Sequence, residues 1–114
     1  MRRIADESGF GTVAFGHAAD GNLHVHLYRE RDGGRADPVR FAAASRAIYA
    51  EAARLGGTVT GEHGVGVTSR DVIGLCRPPA FLAVMRAVKD ALDPNGTLNP
   101  GKVFPPAGEP SGSD

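Results

Sequence analysis

The chain has 114 residues, with 13 Lys and Arg against 13 Asp and Glu, so no net field favours a polyanion and nucleic acid is excluded as an expected partner. That length supports one core burying roughly two thirds of the unfolded surface. A single cysteine, Cys76, excludes an internal disulfide framework and fits a reducing compartment. No apolar run approaches the roughly 18 residues of a membrane span, and the first residues lack the apolar centre of a secretory signal, which predicts a soluble, cytoplasmic chain. The 16 glycines and 8 prolines are many for a freestanding domain and predict that something outside completes the fold.

In chain order, Met1–Ser8 reads as the last two turns of a helix, with Ile4 as its apolar contact and Gly9 as its stop. So short a helix is not stable by itself, which suggests a missing front half. Thr12–Phe15 is rich in β-formers, and Leu23–Tyr28 alternates strictly, with Leu23, Val25 and Leu27 on one face and His24, His26 and Tyr28 on the other. Between them Asp20-Gly21-Asn22 signals a tight turn, because Gly and Asn accept positive φ cheaply. The strands should therefore pair antiparallel and bring His17 beside His24.

Residues 31–38 read as a loop. Pro38 opens a helix to about Leu55, with Phe41, Ala44, Ile48, Ala52 and Leu55 at helical spacing, and Gly56-Gly57 ends it. Thr58–Thr60 is a short β-branched stretch leading to Gly61-Glu62-His63-Gly64. Adjacent Glu62 and His63 would point apart on an extended backbone, so serving one site requires a turn there. A short helix is expected within Val65–Leu75. A longer one runs from Pro79 to Leu92, with Phe81, Leu82, Met85, Val88 and Leu92 as an apolar core stripe. Asp93-Pro94-Asn95-Gly96 and Leu98–Lys102 are turns, and residues 105–114 are expected to be a disordered tail.

The four histidines fall in two places only: His17, His24 and His26 in GHAADGNLHVH, and His63 in GEHGVG. Two imidazoles and a carboxylate make an open divalent site that suits zinc, iron or manganese and leaves a position for substrate. By its spacing alone, a His pair across a turn is more often a satisfied surface pair than a metal site. The Glu62-His63 dipeptide between glycines is what raises the metal reading to parity with the surface one.

Three blocks in register, GHAADGNLH, GEHGVG and LDPNGTLNPGKVF, are distributed over most of the chain, from Gly16 onward. In them the sequence resembles the C-terminal part of the FAD-linked oxidase family, which includes D-lactate dehydrogenase, the glycolate oxidase flavin subunit and D-2-hydroxyglutarate dehydrogenase. The resemblance implies an α+β cap domain over residues 1–104, an antiparallel sheet with helices on one face in a ferredoxin-like arrangement, here incomplete. Its partner would be an FAD-binding domain of the p-cresol methylhydroxylase type. It further implies that His17, His24 and Glu62 bind zinc or manganese, that His63 is the general base, and that a D-2-hydroxy acid loses hydride to FAD. Asn22 would orient the loop or the flavin edge, and the Asn99–Lys102 turn would return the chain toward the FAD domain.

The chain also departs from the family pattern. Ala19 stands where relatives usually have glycine, and Arg70 lies one place after a lysine that relatives often carry, so it either replaces that substrate contact or does not. His26 is read as a substrate-pocket residue or as part of a solvated strand face. No glycine-rich pyrophosphate loop for FAD occurs in the sequence, which predicts a fragment, a split subunit or a misannotated gene end without turnover of its own. The alternative class is a metal-binding or interaction module without redox activity that uses the same ligand set.

Overall fold

This computed structural model describes residues 1–29 and 37–104, and the chain divides into two units, Met1–Leu55 and Gly56–Asp114. The first unit begins with α1 (Arg2–Glu7). Gly9, at φ +75°, lets the Phe10 amide donate to the Ala5 carbonyl at 2.9 Å and its own amide to the Asp6 carbonyl at 3.0 Å. This pair of bonds, with an apolar contact between the same two residues, closes a helix C-terminus and satisfies its last carbonyls. Arg40 Nη2 adds a bond to the Ser8 carbonyl at 3.1 Å. Ala5 is the buried residue of α1, and Ile4 is half-buried.

The expected hairpin forms, with longer strands than the propensities suggest: β1 (Gly11–His17) and β2 (Asn22–Tyr28) pair antiparallel from Gly11 opposite Tyr28 to His17 opposite Asn22. The connection is residues 18–21. Gly21 adopts φ +70° and the Asn22 amide donates to Asp20 Oδ1 at 3.2 Å. Of the two residues expected to take positive φ, only Gly21 does; Asn22 already belongs to the ladder. Because opposed residues share a face, the register puts Thr12, Ala14, Leu23, Val25 and Leu27 on one side. Val13, Phe15, His17, Asn22, His24, His26 and Tyr28 lie on the other.

Leu27 packs on a buried cluster of Ala5, Phe10 and Ala44, so the helices of this unit cover the face opposite the histidines. Helix α2 (Pro38–Arg54) is started by Asp37, whose carboxylate accepts the Val39 amide at 2.9 Å, and by proline in the first turn. It buries Ala44 and Ile48, while Phe41 and Leu55 of the expected stripe are exposed. Phe41 instead meets Phe10 edge-on at 5.8 Å. Gly56, at φ +83°, follows the helix end as predicted. Residues 31–36 of the expected loop, and the expected tail at 105–114, lie outside the described residues.

In the second unit, Thr58–Thr60 is not a strand, although Val59 is buried. A 3₁₀ helix (Arg70–Leu75) supplies buried Val72 and Ile73. Helix α3 (Pro79–Leu92) buries none of its residues. Of the expected core stripe, Phe81, Val88 and Leu92 are 49, 55 and 79% exposed, while Leu82 and Met85 are half-buried: periodicity reports an apolar face, and here that face is only partly covered. Buried Asp93 ends the helix. It accepts from Lys89 Nζ, from the Thr97 amide at 3.0 Å and hydroxyl at 3.2 Å, and from the Leu98 amide at 2.9 Å, so one carboxylate gathers the whole turn. The Lys89 ammonium, first, and these hydrogen bonds hold its pKa down at about 2. The architecture is thus α+β, with a two-stranded antiparallel sheet and three α-helices among the described residues.

Candidate metal and substrate site

The hairpin places its polar chemistry on one face. His17 and His24 are diagonal neighbours across the ladder, and their rings meet edge-on with centroids 5.8 Å apart. The pairing expected from the turn is therefore present. Two imidazoles that share one zinc at about 2.0–2.1 Å have centroids about 5 Å apart, a separation of the same order as this one. Phe15, directly opposite His24, stacks on it at 5.2 Å and 24°, and stacks on His26 at 5.3 Å and 12°. The result is a continuous row of rings: His17, His24, Phe15, His26. Tyr28 lies over Gly11 at the far end, where a Cβ on that glycine would meet the tyrosine ring at 2.4 Å.

Glu62 and His63 sit in a bend in the second unit, with His63 Nε2 at 3.2 Å from Glu62 Oε1. The chain bends at these residues, and the two side chains contact each other. Gly64 and Gly66 follow at φ +73° and +55°. The Gly66 carbonyl then accepts the Val103 amide at 2.8 Å, which ties the second glycine stretch to the end of the LNPGKVF block. Val103 itself has φ +69°, a strained value for a β-branched residue, in a tight turn closed by the Phe104 amide on the Lys102 carbonyl at 2.8 Å.

Asn99, at φ +48°, and Lys102 belong to the expected turn, closed by the Lys102 amide on the Asn99 carbonyl at 3.3 Å. Arg70 braces that turn: its Nη1 donates to the Gly101 carbonyl at 3.2 Å while its Nε pairs with Asp71 at 3.0 Å. Asn22 lies at the turn end of the histidine face, opposite His17, and His26 lies further along the same face. Two features escaped the sequence reading. Phe15 was legible by alternation, two residues before His17 on the same face. The bond between Val103 and Gly66 left no trace in residue type.

Fold and site together define an α+β domain whose sheet carries imidazoles on one face. The family model described as FAD linked oxidases, C-terminal domain, matches residues 1–103, and the chain belongs to that family. It is 39% identical over 97 residues to D-2-hydroxyglutarate dehydrogenase of Stutzerimonas stutzeri, covering 83% of this chain and 21% of that relative. It is 36% identical over 102 residues to D-lactate dehydrogenase of Anaerostipes hadrus, covering 90% of this chain and 22% of that protein. It is also 39% identical over 104 residues to glycolate oxidase subunit GlcD of Bacillus subtilis, covering 89% and 21%. The chain therefore spans about a fifth of the length of these relatives. No helix among the described residues is long and apolar enough to cross a membrane.

Proposed function

We propose that this chain is the substrate-side part of an FAD-dependent oxidoreductase that oxidises a D-2-hydroxy acid of the lactate, glycolate or 2-hydroxyglutarate type. What supports this most is the edge-on pair of His17 and His24 on an open sheet face, in a member of the FAD-linked oxidase family. The donor chemistry fits a divalent cation: His17 and His24 give neutral imidazoles, Glu62 adds a carboxylate, and zinc or manganese suits that set. Once bound, such a cation supplies a Lewis acid for the substrate hydroxyl.

His63 takes the hydroxyl proton. Its Nε2 lies 3.2 Å from Glu62 Oε1, so the neighbouring carboxylate orients the ring for that role. The substrate loses this proton from oxygen and a hydride from the α-carbon and leaves as a 2-oxo acid; FAD, carried outside this chain, supplies the two-electron acceptor. His26 and Arg70 are assigned to the substrate side, and Asn22, Asn99 and Lys102 to the side facing the FAD-bearing part.

The test is elemental analysis of the purified chain after dialysis against zinc or manganese, comparing the parent with His17→Ala, His24→Ala and Glu62→Gln. The parent is expected to retain tightly held metal and the variants to lose it. Variants that retain as much as the parent end the ligand assignment.

A further inference from the structure

We propose that Phe15 is a positioning residue of the metal site, its ring fixing the imidazole plane of His24 and holding His26 apart from the pair that His24 makes with His17. The inference rests on the metal reading given under the proposed function. Phe15 is 56% exposed and lies on the face opposite the buried cluster of Ala5, Phe10 and Ala44, so it does not serve the core. On an open strand face, cross-strand neighbours are the side chains that can use such a ring.

Here two neighbours do. The imidazole torsion about Cβ–Cγ is broad and roughly two-fold, so what packs against the ring weighs in setting its plane. Ligand histidines are normally fixed by a hydrogen bond from the second ring nitrogen. The near-parallel stack of Phe15 on His24, at 5.2 Å and 24°, restricts the same torsion by shape and quadrupole. That plane is the one in which His24 meets His17 edge-on at 82°. The stack with His26, at 5.3 Å and 12°, puts the phenyl ring between the two imidazoles of β2, so His24 alone of that strand is paired with His17.

The test uses cobalt(II) as the probe on the full 114-residue chain, with the parent, Phe15→Ile, Phe15→Tyr, His17→Ala and His24→Ala. Isoleucine keeps strand propensity and bulk but has no ring; tyrosine keeps the ring. Phe15→Ile is expected to weaken cobalt binding roughly tenfold and to broaden the visible cobalt bands, whereas Phe15→Tyr stays within about twofold of the parent. In the metal-free chain, the ring protons of His24 and His26 should move downfield in Phe15→Ile, as the ring current is lost, and stay in place in Phe15→Tyr. Cobalt affinity in Phe15→Ile equal to the parent's, or an equal loss in Phe15→Tyr, overturns the proposal. If His17→Ala and His24→Ala abolish binding while Phe15→Ile leaves it intact, the metal reading stands and only the role of Phe15 falls. If those two alanine variants keep the parent's cobalt, both fall together.

Discussion

Gly16→Ala is the sharpest perturbation of the hairpin, because the glycine lies between Phe15 and His17 and there is no room for a methyl group. A Cβ built there would stand 2.0 Å from the Asn22 carbonyl oxygen and 3.0 Å from both the Asn22 carbonyl carbon and Leu23 Cα. All three are backbone atoms, so no rotamer change relieves the contact. Carbon–oxygen contacts normally begin near about 3.3 Å, so the strands must part by over about 1 Å at the turn end. That is enough to break local ladder bonds and, with overpacking, to cost about 2–3 kcal/mol. Gly21→Ala provides the contrast. It has open space within 4 Å but φ +70°, so it carries only the left-handed backbone penalty of about 1 kcal/mol. Thermal unfolding by circular dichroism and zinc titration calorimetry read the two effects. Gly16→Ala should melt about 10 °C lower and bind zinc on the order of a hundredfold more weakly, since a displacement near 1 Å separates His17 from His24. Gly21→Ala should bind within a few-fold of the parent. Parent-like melting and affinity in Gly16→Ala, or a larger loss in Gly21→Ala, would refute the view that close strand approach sets the histidine pair.

Three further outcomes are expected. Thr12 Oγ1 is buried with no hydrogen-bond partner among the described residues, so Thr12→Val should raise the melting temperature, by an amount equivalent to about 1 kcal/mol; a lower value in the same scan counts against an unsatisfied hydroxyl. The Asp93 carboxyl has its folded pKa lowered to about 2 from an unfolded value of about 3.9. Its stabilisation is therefore complete above roughly pH 4 and lost as pH falls through the folded value. Melting curves of Asp93→Asn should be lower than the parent's at pH 7 and flatter between pH 4 and 2, and parallel curves would dissociate the turn from this carboxylate. Finally, the chain assayed alone with D-lactate, added FAD and an artificial electron acceptor should show no turnover; robust reduction of the acceptor would remove the need for a separate FAD-bearing part.

What could be read from the sequence was governed by short-range rules. The end of α1 at Gly9, the start of α2 at Pro38 and the bend at Glu62-His63 each depend on a few consecutive residues, whose φ preferences are properties of residue type. The histidine face followed from period-two alternation plus one turn, and the register then made neighbours of residues 17 and 24. Where the reading failed, the answer depended on what lies beyond the element. The stripe of Phe81, Leu82, Met85, Val88 and Leu92 was read as core, yet only Leu82 and Met85 are half-buried, because a helical period tells which residues share a face and not whether anything covers it. Leu55 and Phe41 failed the same way at the ends of α2.

Long-range backbone bonds were invisible for a different reason. The Val103 amide on the Gly66 carbonyl, and the Arg70 guanidinium on the Gly101 carbonyl, use atoms every residue possesses or a side chain with many alternative partners. Together they fasten the NPGKVF turn both to the loop behind His63 and to the start of the 3₁₀ helix. Arg70, singled out from sequence for a substrate, thus also has a bracing role that needs no ligand. The two assignments separate by experiment: Arg70→Lys keeps a cation for a carboxylate but loses the planar fork that spans Asp71 and Gly101. A bracing role therefore predicts lost stability at unchanged metal content, and a substrate role predicts weaker substrate binding at unchanged stability.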